Sequence, residues 1–186
     1  SAPSTFLKAS KFVSKVGADL VYIVDSAGGM LPHELNKYIQ ILKKNSKINF
    51  GFHGHDNLGL SVANSLISVE LGVYLIDTSL QGYGRSAGNT VTEQFLSALI
   101  RTGYKMDLDP IEVMRAGERL IRPLVSKKGI SSLDTASGQA QFHTSYMPII
   151  TSISKKYKVD PRALIIELCK HDKMDAPEEL VIKLAK

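Results

Sequence analysis

The feature that most constrains this chain is a threefold repetition of strand then helix in its first hundred residues, followed by sequence with no strand signal. The first strand pattern, Asp19-Leu20-Val21-Tyr22-Ile23-Val24-Asp25, is an almost unbroken apolar run. Such a run predicts a strand buried on both faces, as in a parallel sheet packed under helices. A loop from Ser26 to Leu31 leads to Pro32 in a first helical turn, with Leu35, Tyr38, Ile39 and Leu42 as the buried stripe behind it. The second unit is extended from Ile48 to His55, turns over Asp56 to Gly59, and continues as a helix carrying Leu60, Ala63, Leu66, Ile67 and Glu70 that ends at Gly72. The third has Val73 to Ser79 as strand, a glycine-rich turn from Gln81 to Gly88, and a helix from about Thr90, where Thr90 and Glu93 read as a capping box. Consecutive units of this kind imply parallel strands joined by right-handed crossovers. Ahead of them, Phe6, Ala9, Phe12, Val13 and Val16 mark a helix closed by Gly17.

After Gly103 the chain reads as helix after helix. Asp109-Pro110 and Asp160-Pro161 are cap and first-turn pairs, which predict helices over 110–126 and 161–170, with others over 138–157 and 177–185. The division expected is 1–105 and 106–186: an α/β part with three parallel strands, then an all-helical C-terminal subdomain. Three strands cannot close a barrel, and an open sheet of three leaves two apolar edges that proteins normally pair or cover. The chain is therefore expected to be a piece of a larger enzyme.

With 44% hydrophobic and 22% charged residues the chain can build a real core, which excludes disordered and fibrous classes. No apolar run reaches the roughly 18–20 residues of a spanning helix, and no basic segment followed by an apolar one opens the chain. The single cysteine, Cys169, excludes disulfide scaffolds and cysteine-based zinc sites. Neither membrane nor secretion is expected, and a reducing, cytoplasmic compartment fits best. The net charge of +5, from 23 Lys and Arg against 18 Asp and Glu, is scattered in short doublets such as Lys43-Lys44 and Lys155-Lys156. That pattern fits a solvated surface and argues against nucleic acid, which calls for a basic stripe interleaved with aromatics.

His53-Gly54-His55-Asp56-Asn57, at the end of the second strand, is the sharpest chemical feature. Side chains of a strand alternate faces, so His53 and His55 project the same way and can converge on one cation. Two imidazoles leave coordination positions open, and Asp25 and Asp77, near the ends of the flanking strands, are candidate ligands or loop-orienting groups. Gln81-Gly82-Tyr83-Gly84-Arg85-Ser86-Ala87-Gly88-Asn89 lacks the spacing of a dinucleotide loop. Its expected role is to aim N–H groups, Arg85 or Asn89 at an anionic substrate. An H-x-H pair on a strand also occurs in amidohydrolase-type enzymes, which need further histidines on later strands. The later ones here, His143 and His171, fall in helical sequence.

Three segments together resemble a known family: Val24 to Pro32, His53 to Ser65, and Gly82 to Asn89 are similar in order and spacing to the last three barrel strands of the pyruvate-aldolase and HMG-CoA-lyase-like metalloenzymes. Within them the aldolases of 4-hydroxy-2-oxo acids are the nearest likeness. The match is strong over about residues 6–105 and looser in the helical tail, notably from Lys156 to Leu168. The resemblance implies a (β/α)8 barrel of about 250 residues with its site at the carboxyl ends of the strands. This chain would supply the last three of those strands. The remainder would supply a third, aspartate ligand and a base histidine, leaving this chain alone inactive. By the same resemblance His53 and His55 are the metal ligands, for Mn²⁺ or Mg²⁺, while Asp25, Ser26, Arg85 and Asn89 contact a 2-oxo acid substrate. The reaction implied is metal-dependent cleavage of 4-hydroxy-2-oxo acids, such as 4-hydroxy-2-oxovalerate, to pyruvate and an aldehyde. Such aldolases function in aromatic catabolism, and many pair with an acylating aldehyde dehydrogenase through the helical tail or form homo-oligomers.

Two departures bear on that assignment. Asp56 stands where these aldolases carry another histidine and looks more like the related acyl-CoA lyases and synthases, or the carboxyltransferases, of the superfamily. His143 aligns with a tyrosine that aldolase tails present to substrate, with Tyr146 close by, which makes His143 a candidate catalytic proton donor. Ile149, Ile150, Ile153 and Tyr157 form an apolar stripe expected to be buried within the tail, with partner docking as the alternative.

Overall fold

The computed structural model describes residues 2–126, 130–173 and 175–186. Its first part runs α1 (Pro3–Lys15), β1 (Leu20–Asp25), α2 (Pro32–Asn45), β2 (Asn49–Gly54), α3 (Ser61–Glu70), β3 (Leu75–Asp77) and α4 (Thr92–Arg101). The strands form one parallel sheet in the order β1-β2-β3, with Val24 opposite His53 and His53 opposite Asp77. β3 is three residues long, shorter than the expected Val73 to Ser79. Beyond it, Ser79 makes an isolated bridge to Val91, and beyond β2 His55 makes one to Asn89.

The alternation of strand side chains decides which face is filled. Ile23, Phe50 and Phe52 share one face and are buried with Leu35, Tyr38, Ile39 and Leu42 of α2. Each such side chain stabilises the fold by roughly 1.5–3 kcal/mol relative to leaving it in water. Tyr22, Val24, Gly51, His53, Leu75 and Asp77 share the other, and there Val24 and Leu75 are exposed. The expectation of burial on both faces thus holds on one face only among the described residues. In α1, Phe6 packs on Tyr38 and Phe50, whereas Phe12 and Val16 remain exposed.

The stripe expected on α3 is corrected. Ser61, Asn64, Ser65 and Ser68 are its buried residues, and Ala63 is exposed. Small polar side chains let α3 lie close to the sheet: Ser65 meets the Thr90 hydroxyl at 3.1 Å, and Ser68 bonds back to the Asn64 carbonyl. The capping box expected at Thr90 and Glu93 does not form either. α4 starts at Thr92 behind Val91, Thr90 is buried against Ser65, and the Glu93 carboxylate accepts from the Gln81 backbone and side-chain N–H groups at 2.8–3.1 Å. Long-range partners outcompete the local motif.

From Pro110 onward the described elements are helical: α5 (Pro110–Ala116), a π-turn over Gly117–Ile121, a 3-10 turn over Arg122–Leu124, α6 (Ser132–Ala140), a 3-10 turn over Thr144–Tyr146, α7 (Met147–Tyr157), α8 (Pro161–His171) and α9 (Glu178–Ala185). The helix expected over 110–126 is present but distorted, because Pro123 lacks the N–H that would bond to Arg119 and widens the preceding turn. The helix expected over 138–157 is broken at Gln141, which adopts φ 58° and ends α6. The side chains of Phe142, Ile150, Ile153, Leu164, Ile165, Leu168 and Val181 form a second apolar cluster. Ile149 and Tyr157 pack against it, so the apolar stripe of α7 is interior, as expected. Among the described residues no helix is long and apolar enough to cross a membrane.

Candidate metal centre

His53 and His55 come together at the carboxyl end of β2, with ring centroids 5.2 Å apart and planes inclined at 74°. The strand explains this, since residues two apart in an extended segment share a face. Each ring is held by its Nδ1. His53 Nδ1 lies 3.2 Å from a carboxylate oxygen of Asp77, and His55 Nδ1 lies 3.3 Å from the Gly88 carbonyl. Both partners accept only, so each ring is assigned a hydrogen on the Nδ1 that faces them, which directs Nε2 away from these partners. A carboxylate or carbonyl behind the far nitrogen is the usual arrangement behind a metal-binding imidazole.

Asp77 serves as the partner of His53. Its other oxygen accepts from the Tyr22 hydroxyl at 2.9 Å, so one contact chain crosses all three strands. Gly51 makes the crossing possible, because a Cβ there would stand 2.6 Å from the Tyr22 ring. His55 is buried, and its imidazole is pushed below the ordinary histidine range, first by burial and then by the charges of His53 and Arg85. The neutral form that binds metals is thereby favoured.

Asn89 adds an oxygen. Its Nδ2 donates to the Tyr83 carbonyl at 3.1 Å, while its Oδ1 is buried with no hydrogen-bond partner, and its backbone is bridged to His55. A buried acceptor left without a partner on the residue bridged to His55 is chemically suited to a donor group or a cation. Among the described residues no cluster of three or more His, Cys, Asp or Glu side chains could hold a metal, so the acidic ligand expected alongside the pair is absent from this set.

The other expected residues fall in distinct places. Asp25 is buried and its two oxygens accept from the Gly29 and Met30 N–H groups at 3.2 and 2.9 Å; burial raises its pKa against the pull of those donors. It shapes the turn after β1, and Ser26 beside it is half-buried. Arg85 is exposed on the loop after β3, near enough to His55 to act on its charge. His143 precedes the 3-10 turn at Thr144, with Nδ1 2.5 Å from Ser145 Oγ and its ring 5.7 Å from that of Tyr146. Those contacts are local to the tail. Asp56 caps α3 by accepting from the Ser61 N–H at 2.9 Å.

The HMGL-like family model matches residues 1–120, which contain the whole sheet and the histidine pair. The chain belongs to the HMGL-like family. The chain is similar to the 4-hydroxy-2-oxovalerate aldolase of Bacillus thuringiensis (strain Al Hakam), 35% identical over 177 residues, 95% of this chain and 52% of that protein. The chain spans about half the length of the curated relatives it matches. Among solved structures, the fold is similar to the carboxyl transferase domain of Rhizobium etli pyruvate carboxylase, with TM-score 0.77 at 16% identity, covering 100% of this chain and 34% of that one. It is also similar to the HMG-CoA lyase of Bacillus subtilis, with TM-score 0.63 at 20% identity over 71% of this chain and 46% of that one.

Sequence reasoning misses three parts of this HMGL-like site. Tyr22 reads as a core strand residue until Gly51 is seen to open its way to Asp77. Asn57 and Ser86 read in sequence as ordinary loop residues, yet Asn57 Nδ2 donates to Ser86 Oγ at 2.8 Å and to the Asp134 carbonyl at 3.1 Å. Asp134, on α6, carried no signal beyond its place in a helical segment.

Proposed function

We propose that this chain supplies the histidine pair of a divalent-metal-dependent carbon–carbon lyase, an aldolase that cleaves 4-hydroxy-2-oxo acids to pyruvate and an aldehyde. In this reading residues 1–105 are part of a (β/α)8 barrel, residues 106–186 are a helical domain, and the chain alone is inactive. The observation that carries it is the pair of Nδ1-anchored imidazoles at the open end of a parallel sheet. Membership of the HMGL-like family and likeness to curated 4-hydroxy-2-oxovalerate aldolases support the reaction class.

His53 and His55 hold the cation through Nε2, with Asp77 and the Gly88 carbonyl keeping both rings in the ligating tautomer. Mn²⁺ or Mg²⁺ supplies Lewis acidity toward the oxygens of the 2-oxo acid when bound. Asn89 Oδ1 accepts a hydrogen bond from substrate or adds an oxygen to the cation. Arg85 attracts the substrate carboxylate to the mouth. Asp25 keeps the loop bearing Ser26 folded inward so that Ser26 lines the substrate. His143 moves a proton through Nε2, its Nδ1 being taken by Ser145. Asp56 accepts from the Ser61 N–H at the start of α3, a role equally compatible with the related acyl-CoA lyase, synthase or carboxyltransferase reading.

The test is an assay of the natural polypeptide carrying this sequence with 4-hydroxy-2-oxopentanoate, following pyruvate. Release that is abolished by EDTA, restored by Mn²⁺ and lost in His53→Ala supports the reading; release indifferent to EDTA contradicts it.

A further inference from the structure

We propose that Asp134 of α6 is a positioning residue for the histidine pair: through Ser86 and Asn57 it fixes the loop whose Gly88 carbonyl holds the His55 ring. The proposal rests on the metal-site reading above and adds a control point to it, a helix far along the chain that sets the geometry of a ligand.

Asp134 is buried, and its two carboxylate oxygens have different partners. Oδ2 accepts from the Ser131 N–H at 2.8 Å and the Ser131 hydroxyl at 2.6 Å, which caps α6. A cap requires no more than that. Oδ1 instead accepts from the Ser86 hydroxyl at 2.8 Å, across 48 residues of sequence. Ser86 Oγ in turn accepts from Asn57 Nδ2 at 2.8 Å, and the same amide reaches the Asp134 carbonyl at 3.1 Å. A buried carboxylate is unfavourable unless its lone pairs are used, and Ser86 satisfies Oδ1 separately from the cap on Oδ2.

Each partner is close to the histidines along the chain. Asn57 lies two residues after His55, and Ser86 lies two before Gly88. Ser86 holds φ 54°, a left-handed conformation that its side-chain bonds help to fix. The resulting turn brings the Arg85 carbonyl to the Gly88 N–H at 2.8 Å and leaves the Gly88 carbonyl facing His55 Nδ1. α6 is seated firmly enough to act as a template: a Cβ on Gly29 would stand 2.1 Å from the Gly138 carbonyl, and one on Gly138 would stand 2.9 Å from the Leu58 side chain. Backbone therefore meets backbone where α6 crosses the loop after β1, and α6 packs on the Leu58 side chain of the loop after β2.

The experiment uses the natural polypeptide carrying this sequence, with Ser86→Ala and Asp134→Asn as test variants and Ser131→Ala as the control that removes the hydroxyl partner of Oδ2 and leaves the Ser86 bond to Oδ1. The His55 ring nitrogens are observed by long-range ¹H–¹⁵N NMR without metal, and Mn²⁺ affinity is measured by water-proton relaxation. Wild-type His55 is expected as the Nδ1–H tautomer. Ser86→Ala is expected to mix its tautomers and to weaken Mn²⁺ about tenfold, the low end for losing a partner behind a ligating histidine. Ser131→Ala is expected to melt a few degrees lower while leaving both readouts as in wild type. A Ser86→Ala protein matching Ser131→Ala in tautomer and affinity overturns the proposal, and does so whether or not Asp134→Asn folds. If the wild-type natural polypeptide binds no Mn²⁺, the metal reading fails, and the metal-free tautomer comparison alone decides the role of Asp134.

Discussion

At Gly51 the absence of a side chain has a chemical consequence two residues along the same strand, reached by way of both neighbouring strands. The Tyr22 ring lies over it, the Tyr22 hydroxyl reaches Asp77, and Asp77 turns His53. Gly51→Ala drives a methyl into that ring and is expected to cost about 1–3 kcal/mol, read by urea unfolding, because the packed sheet has little room to give. The same variant releases Asp77 from Tyr22, so the His53 Nδ1 resonance is expected to shift. A second residue-scale expectation concerns Cys169, which is buried in the helical cluster with its thiol pushed up by burial. The folded thiol holds its proton to higher pH than the unfolded one. Its contribution to stability is therefore full below about pH 8 and is lost as pH rises through the raised value. Alkylation by iodoacetamide at pH 8 is expected to be slow in the native protein and to reach the rate of a free thiol in denaturant; fast native labelling contradicts the burial.

At the scale of elements, the strand and helix succession was legible because hydrophobic period and proline placement act locally. β1, β2, α2 and α8 lie where Leu20 to Asp25, Ile48 to His55, the Leu35 stripe and Asp160-Pro161 put them. The histidine pair was legible for the same reason, as a period of two. What escaped depends on contacts distant in sequence. The polar face of α3 is buried because it meets Thr90 and the glycine-bearing β2, which no window around α3 contains. Glu93 abandons its local cap for Gln81. Asp134 meets Asn57 across 77 residues. The stability of the helical cluster is a matter of packing: Ile165 is fully buried in α8, and Ile165→Ala is expected to cost about 2–5 kcal/mol in denaturant unfolding. A loss below 1 kcal/mol would mean that the cluster is loosely packed.

On the scale of the whole molecule, α6 links the helical cluster to the loops after β1 and β2, and the sheet face turned away from α2 carries exposed residues. β1 and β3 each have one strand neighbour among the described residues, and Val24, Tyr74 and Leu75 are exposed. Parallel edges of this kind invite pairing. The isolated 20.4 kDa chain is accordingly expected to self-associate with rising concentration in sedimentation velocity, and Leu75→Lys to shift it toward monomer. A monomer at every concentration would show that the open face is tolerated in water.

All the chemistry assigned to the chain depends on both imidazoles serving one cation. The direct measurement is a Mn²⁺ titration of the metal-free natural polypeptide carrying this sequence, followed by the ring resonances of the five histidines of this chain. The account predicts that the His53 and His55 signals broaden together at the lowest Mn²⁺ additions, before those of His33, His143 and His171, and that His53→Ala abolishes the effect at His55. Broadening of one ring without the other, or of neither before the surface histidines, would contradict it.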